Sequence, residues 1–297
     1  MMINYENILK YYFKSNLPGL FNLREKYKRK NYQRKVNQII FDHVNKFKTS
    51  GRYPLFRTIE IETMNRCNST CSFCPVNKNA DTRKFKKMDE ALFISIVQQL
   101  NACGYSGRVG LYSNNEPFLD ERIIDLARVA KENLPQCTIF LYTNGTLLTA
   151  EKFTAIMQHL DFMYIDNYND NLKLIKPVKE IYALSKNNKH YNNRVRIRLR
   201  KLNDMLSTRG GQAPNRREET NAPLDYGCLR PFYQMVVRPD GKVSLCCNDA
   251  LGKMTLGDLT VSTIDEVWHN DTYITIREKL CKDRTATFLC SGCDSML

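Results

Sequence analysis

Three cysteines on one short stretch, Cys67, Cys71 and Cys74, follow the spacing C-x3-C-x2-C. Thiolate is the soft ligand that iron–sulfur clusters require, and three thiolates on one loop can hold three irons of a cubane 4Fe-4S cluster. The fourth iron is then left without a protein ligand and open to a chelating molecule. The competing chemistry is zinc, which prefers four closed ligands, usually with a second Cys/His pair nearby. No histidine lies near this loop, and His43, His159, His190 and His269 show no ligand spacing. A second set follows: Cys228, Gly241 and Cys246 fit C-x12-G-x4-C, and Cys290 and Cys293 fit C-x2-C. Four cysteines in two separated pairs make either a zinc site or an auxiliary 4Fe-4S cluster.

The elements that must position these groups read as alternating strands and helices. Residues 58–62 alternate as a strand, and Asp89 opens a helix with Leu92, Ile96, Val97 and Leu100 on one face. Strands follow at 109–112, 138–142, 162–165 and 195–202. Helices fall between them: one carries Ile123 to Leu134 and stops at Pro135, one carries Phe153, Ile156, Met157 and Leu160, and one starts near Pro177. This order implies βαβ units and a parallel sheet. Five units are too few for a closed eight-fold barrel, so the expected class is α/β, an open partial (β/α) barrel with chemistry at the C-terminal strand ends. Residues 203–226, with Gly210, Gly211 and Pro214, read as a loop or boundary. Beyond it the pattern is a hairpin at Pro239-Asp240-Gly241, then two short helices, the first opened by a capping box from Ser262 to Asp265. The expected division is a basic helical extension over 1–53, the barrel over 54–205 and a small cluster domain over 206–297.

The cysteine spacing, Phe73 before the third cysteine, and the position after the first strand resemble the radical S-adenosylmethionine (SAM) superfamily, over roughly residues 55–205. The resemblance implies that SAM chelates the open iron, is cleaved by one electron, and yields a 5′-deoxyadenosyl radical that takes a hydrogen atom from substrate. It also implies cofactor residues at strand ends. Tyr112-Ser113-Asn114-Asn115-Glu116-Pro117 stands where the family carries a Gly-Gly-Glu-like segment for the SAM amino group, with Asn114 and Asn115 in place of the glycines. Thr143-Asn144-Gly145 is similar to a segment near the adenosine, and Asp166-Asn167 ends the next strand. Arg196, Arg198 and Arg200 alternate along the last strand, either as a solvated edge or toward the SAM carboxylate or an acidic substrate, with Arg198 taken as the candidate.

The C-terminal region resembles the SPASM domain in its shortened, twitch form. That resemblance implies one auxiliary 4Fe-4S cluster held by Cys228, Cys246, Cys290 and Cys293, and two clusters in all. Cys247 neighbours a ligand and is either a packed thiol, an alternative ligand or a hydrogen donor, while Cys281, Cys103 and Cys137 read as structural or core residues. Four thiolates leave no open iron, which favours an electron relay and therefore an oxidation. Length and cluster layout resemble the radical SAM dehydrogenases of aminoglycoside biosynthesis, so a sugar, cyclitol or other small metabolite is the leading substrate class. A peptide-modifying maturase and a redox-neutral sugar epimerase are the alternatives within the class.

The net charge of +14 is concentrated at the start: residues 1–50 carry eleven Lys or Arg against three Asp or Glu, a net +8. Such a segment suits an acidic flavodoxin or ferredoxin as electron donor, an anionic membrane surface or nucleic acid. A zinc-bearing nucleic-acid-binding protein is the reading from outside the enzyme class, but no recognition helix or aromatic RNA platform stands in the sequence. No stretch is long and apolar enough for a transmembrane helix and no secretory signal is visible. A reducing cytoplasm is the expected location, where eleven cysteines serve as ligands or core residues more than as disulfides.

Overall fold

The computed structural model describes residues 3–216, 224–285 and 287–296. A short strand β1 (Ile3–Asn4) leads into two helices, α1 (Glu6–Asn16) and α2 (Pro18–Ser50), which break at Leu17 where Pro18 enters at a helix N-terminus. The barrel region then alternates β2 (Thr58–Ile61), α3 (Glu90–Ala102), β3 (Arg108–Gly110), α4 (Ile123–Asn133), β4 (Thr138–Thr143), α5 (Ala150–Ile156), β5 (Phe162–Tyr168), α6 (Lys176–Lys186) and β6 (Val195–Arg200). The C-terminal region holds α7 (Arg230–Tyr233), β7 (Gln234–Val237), β8 (Lys242–Ser244), β9 (Thr255–Asp258), α8 (Ile264–Trp268), α9 (Asp271–Leu280) and α10 (Phe288–Ser291).

Helix starts follow side-chain chemistry. Asp89, Thr149, Asn270 and Thr287 each accept a hydrogen bond from a backbone N–H of the helix they precede. The capping box of α8 lies one residue later than expected, between Thr263 and Glu266, because Glu266 stands three residues after the cap and reaches back to its N–H. Helix α5 ends at Ile156, short of the expected Leu160, which is buried in the turn that follows.

The sheet is open and its order is β1-β6-β5-β4-β3-β2-β7-β8-β9. The five expected strands pair in parallel, β2 through β6. Two further parallel strands flank them. β1 pairs with β6, so the N-terminal extension contributes a strand as well as helices. β7 pairs in parallel with β2 before it turns antiparallel into β8 and β9. The C-terminal region is therefore joined to the barrel through one continuous sheet. β7 is buried at all four positions, Gln234 to Val237, as a strand covered on both faces must be.

Along β5 burial alternates, with Met163, Ile165 and Asn167 buried and Tyr164, Asp166 and Tyr168 on the other face. Met163 and Ile165 join the main core with Phe153, Ile156, Val178 and Ile181 from the helices. The opposite face carries stacked tyrosines: Tyr142 lies flat on Tyr164 at 4.4 Å between ring centres, and Tyr112 sits 4.7 Å from Tyr142. A smaller cluster joins Val36 and Ile40 of α2 to Tyr53 and Phe232. Among the described residues no helix is long and apolar enough to cross a membrane. The expected boundary loop lies partly outside the described residues, at 217–223.

Candidate active site

Cys67, Cys71 and Cys74 lie on the loop after β2 and face one cavity of about 190 Å³. The loop is tied by its own polar atoms. Asn77 Nδ2 donates to the carbonyls of Cys71 (3.0 Å) and Cys74 (2.8 Å), and its Oδ1 accepts from the N–H of Asn79 and Ala80. Ser69 places its N–H 3.5 Å from Cys67 Sγ and its hydroxyl 3.0 Å from Cys71 Sγ. Burial pushes the thiols of Cys67 and Cys71 up to about 12. Phe73, buried beside the loop, packs 5.9 Å from Tyr168.

The strand ends close around the same cavity. Glu116 accepts from Thr143 Oγ1 (2.7 Å), Asn144 N (2.7 Å) and Phe118 N (3.1 Å). It therefore ties the end of β3 to the end of β4. A carboxylate has about four acceptor positions, so one remains beyond these three. Its pKa lies above the ordinary carboxylate value because burial outweighs those bonds. Asn144 donates to Asn68 (2.8 Å) and sits 4.0 Å from Cys67 Sγ. Gly145 turns the chain there at φ +75°, and a Cβ would come within 2.5 Å of Val178, so only glycine fits. Asn115 Oδ1 accepts from Ser113 N, while its Nδ2 is buried without a hydrogen-bond partner.

Phe73, Asn114, Asn115, Glu116, Thr143, Asn144 and Asp166 all line the cavity. Asn167 does not. Its side chain bonds Ile175 N and Lys173 O on the helical side of β5, since neighbouring strand residues point to opposite faces. Arg198 stands behind the lining: it holds Asp166 through two bonds of 2.7 and 3.1 Å and lies over the ring of Tyr142. Arg200 adds a third bond to Asp166, whereas Arg196 bonds backbone carbonyls.

Several residues of the site carry no sequence signal. Arg209, in a left-handed conformation at φ 50°, lines the cavity and donates to Asn114 Oδ1 (2.6 Å) and the carbonyl of Cys247 (2.8 Å). Glu60, buried under Tyr112 and Ser113, accepts from both of them (3.3 and 2.9 Å) and from Gln234 (2.6 Å). Arg83 braces the wall by pairing with Glu62 and Asp81 and donating to the carbonyl of Asn114. Strand periodicity would have found Tyr142 and Tyr168; the arginines and Glu60 depend on long-range folding.

Cys228, Cys246, Cys290 and Cys293 face a second, smaller cavity. Cys290 sits in α10, capped by Thr287, and Cys293 Sγ takes weak contacts of 3.8 Å from Asn248 and Arg284. Among the described residues no group of three or more His, Cys, Asp or Glu closes on a single metal ion. Cys247 lines neither cavity; its thiol accepts from Arg230 Nη1 at 2.8 Å. Gly210, at φ +64° with Leu289 too close for any Cβ, lines the second cavity beside Arg209 of the first. Cys137 is buried as expected, but Cys103 is exposed at the end of α3 and is no core residue.

The radical SAM superfamily profile matches residues 61–204, and the SPASM iron-sulfur cluster-binding domain matches residues 228–294. The chain belongs to the radical SAM superfamily and carries a C-terminal SPASM domain. It is an enzyme that uses an iron–sulfur cluster and SAM, which sets aside zinc at the first loop and the nucleic-acid-binding reading. Among known proteins it is similar to the S-adenosyl-L-methionine-dependent 2-deoxy-scyllo-inosamine dehydrogenase of Niallia circulans, 26% identical over 82% of this chain and 94% of that protein. The crystal structure of BtrN in complex with AdoMet and 2-DOIA matches with a TM-score of 0.70 at 26% identity, again over 82% of this chain and 94% of that one. The SuiB structure from Streptococcus suis bound to the precursor peptide SuiA shares the fold, with a TM-score of 0.51 at 14% identity over 84% of this chain and 74% of that one.

Proposed function

We propose that the protein is a radical SAM dehydrogenase that oxidises a carbinol carbon of a small polyhydroxylated molecule, a sugar or cyclitol. Cys67, Cys71 and Cys74 would hold a 4Fe-4S cluster that binds SAM. When bound, the cluster and SAM supply one-electron cleavage of SAM and abstraction of a substrate hydrogen atom by the 5′-deoxyadenosyl radical. The unpartnered Asn115 Nδ2 and the remaining acceptor position of Glu116 suit the carboxylate and amino groups of SAM. Asn144 and Thr143 complete that wall, Phe73 and Tyr168 exclude water, and Arg198 holds Asp166 in orientation through its two bonds.

Cys228, Cys246, Cys290 and Cys293 would hold a second 4Fe-4S cluster, which would supply an electron acceptor. The proton released by oxidation has an acceptor in Glu60, reached from the cavity wall through Ser113 Oγ or Tyr112 Oη. Burial raises its pKa, as a proton acceptor working near neutral pH requires. The observation that carries oxidation over epimerisation is the position of Cys247. An epimerase needs a hydrogen donor at the substrate, and this thiol lines neither cavity and is held by Arg230. The similarity to a cyclitol dehydrogenase supports the substrate class. A flavodoxin or ferredoxin donor and a reducing cytoplasm complete the reading, supported by eleven unpaired cysteines.

The test is anaerobic reconstitution followed by incubation with SAM, reductant and a panel of sugars and cyclitols that includes 2-deoxy-scyllo-inosamine. Wild type is expected to yield 5′-deoxyadenosine and a ketone in equal amounts. Cys71→Ala abolishes SAM cleavage, and Cys290→Ala keeps cleavage but loses the ketone. An epimer carrying solvent deuterium, or a crosslinked peptide, would replace this reading.

A further inference from the structure

We propose that the basic middle of α2 is the docking surface for an acidic one-electron carrier protein, which exchanges electrons with the second cysteine site beneath it. The proposal rests on the two-cluster reading above. Between Arg24 and Lys35 the exposed positions are Arg24, Lys26, Tyr27, Lys28, Arg29, Lys30, Arg34 and Lys35. The one acidic residue there, Glu25, is half-buried. Lys28 and Arg29 have distant ion pairs, of 3.6–4.0 Å, with Glu6, Glu25 and Asp225. Lys26, Lys30, Arg34 and Lys35 have no ion pair among the described residues, so their charge faces outward.

The inner face of the same helix lies against the chain that carries the cysteines. Tyr32 meets Tyr226 edge-on at 6.4 Å, and the guanidinium of Arg284 lies 5.2 Å over the Tyr226 ring. Arg284 Nη1 is 3.8 Å from Cys293 Sγ. A turn further on, Val36 and Ile40 pack on Phe232, and a Cβ on Gly227 would touch Ile40 Cδ1. Cys228 follows Gly227 directly. One helix, about 10 Å across with its side chains, therefore separates the basic surface from the second site. Tyr32, Tyr226 and Arg284 form an unbroken ladder of contacts through it.

Charge complementarity selects an acidic protein. A membrane-lying helix would turn an apolar face outward along this stretch. Here Tyr32 and Val36 point inward, and Tyr27 is the exposed aromatic among cations, with Leu20 and Leu23 exposed at one edge. A small apolar edge beside a charged field is the make-up of a transient protein interface. The electron balance is simple. Each oxidation gives a hydrogen atom to the deoxyadenosyl radical, a proton to a base and one electron to the oxidised carrier, and no bond forms between the proteins.

The experiment measures binding of an acidic flavodoxin to the reconstituted full chain by calorimetry at low and moderate salt. The variant Lys30→Glu/Arg34→Glu/Lys35→Glu is compared with Lys152→Glu/Lys179→Glu/Lys189→Glu, which makes the same charge change on the helical layer of the barrel. The α2 variant is expected to weaken Kd by at least about tenfold and the control by less than about threefold. Dithionite-driven 5′-deoxyadenosine formation stays intact in both. Equal weakening in the two variants, or none in either, overturns the proposal. So does wild type that binds phosphatidylglycerol vesicles or RNA at this surface but no flavodoxin. If flavodoxin binds as stated and no substrate is oxidised, the docking site stands and the dehydrogenase reading falls; if a ketone forms without flavodoxin binding, the reverse holds.

Discussion

Arg230 Nη1 donates to Cys247 Sγ across 2.8 Å, and this contact lies between the two cysteine-lined cavities. Arg230 lines the second cavity, while its other partner, Gln234, bonds Glu60 behind the first. The guanidinium also places a fixed positive charge beside Cys246 and Cys228. Arg230→Met leaves those thiolates uncompensated, so the second site is expected to lose its iron, about half of the total for two like clusters. SAM cleavage at the first site continues. Iron analysis with electron paramagnetic resonance checks this, and full iron retention in Arg230→Met would refute it.

Glu60→Gln removes the proposed proton acceptor while keeping shape and hydrogen bonding. 5′-Deoxyadenosine formation is expected to persist while ketone formation falls by about 10²-fold or more, the usual scale for a general base. In wild type the base acts when ionised, and burial raises its pKa. Ketone formation therefore declines as pH falls through a value above the ordinary carboxylate range. A pH–rate profile in both proteins measures it, and equal ketone yield from the variant would remove Glu60 from the mechanism.

Glu116 joins two strand ends with three hydrogen bonds, two of them from backbone N–H groups. Glu116→Gln puts an amide where a donor expects an acceptor. The expected cost is about 1–3 kcal/mol for the unsatisfied buried group, seen as a lower Tm. SAM affinity falls with it, because Asn144 loses the bond that sets its place near Cys67. Unchanged Tm and SAM affinity would mean the tether is dispensable.

Burial pushes Glu62 from its ordinary 4.5 to about 7, even with Arg83 at 2.9 Å. A carboxyl whose folded pKa is raised binds more protons folded than unfolded in that interval. Its contribution is complete below about 4.5 and is lost as pH rises through 7. Denaturant titrations of the apoprotein from pH 4.5 to 8 are expected to show a falling component that Glu62→Gln abolishes. Arg83 keeps Asp81 as a partner in the variant, so the loop remains braced. Identical pH slopes in the two proteins would contradict the assignment.

Much of the site was legible because its signals are local. The spacing of Cys67, Cys71 and Cys74 places three thiols on one loop whatever surrounds them. Asn114 to Glu116 and Thr143-Asn144 reach the cavity because parallel strands present their C-terminal ends together. Asn167 was misplaced because a strand end turns alternate residues to opposite faces, and the choice of face depends on which neighbour is buried.

What the sequence determined alone was therefore the chemistry of the ligands, the strand–helix alternation and the superfamily. The tertiary structure decided how the parts meet. Only folding joins β7 to β2, brings Arg209 to Asn114 across 95 positions, and sets Arg230 and Cys247 between the two cavities. It also lays α2 over the second cysteine site. Local propensity and spacing are properties of a few neighbouring residues, whereas these pairings follow from burying apolar faces of segments far apart in the chain, which no local pattern encodes.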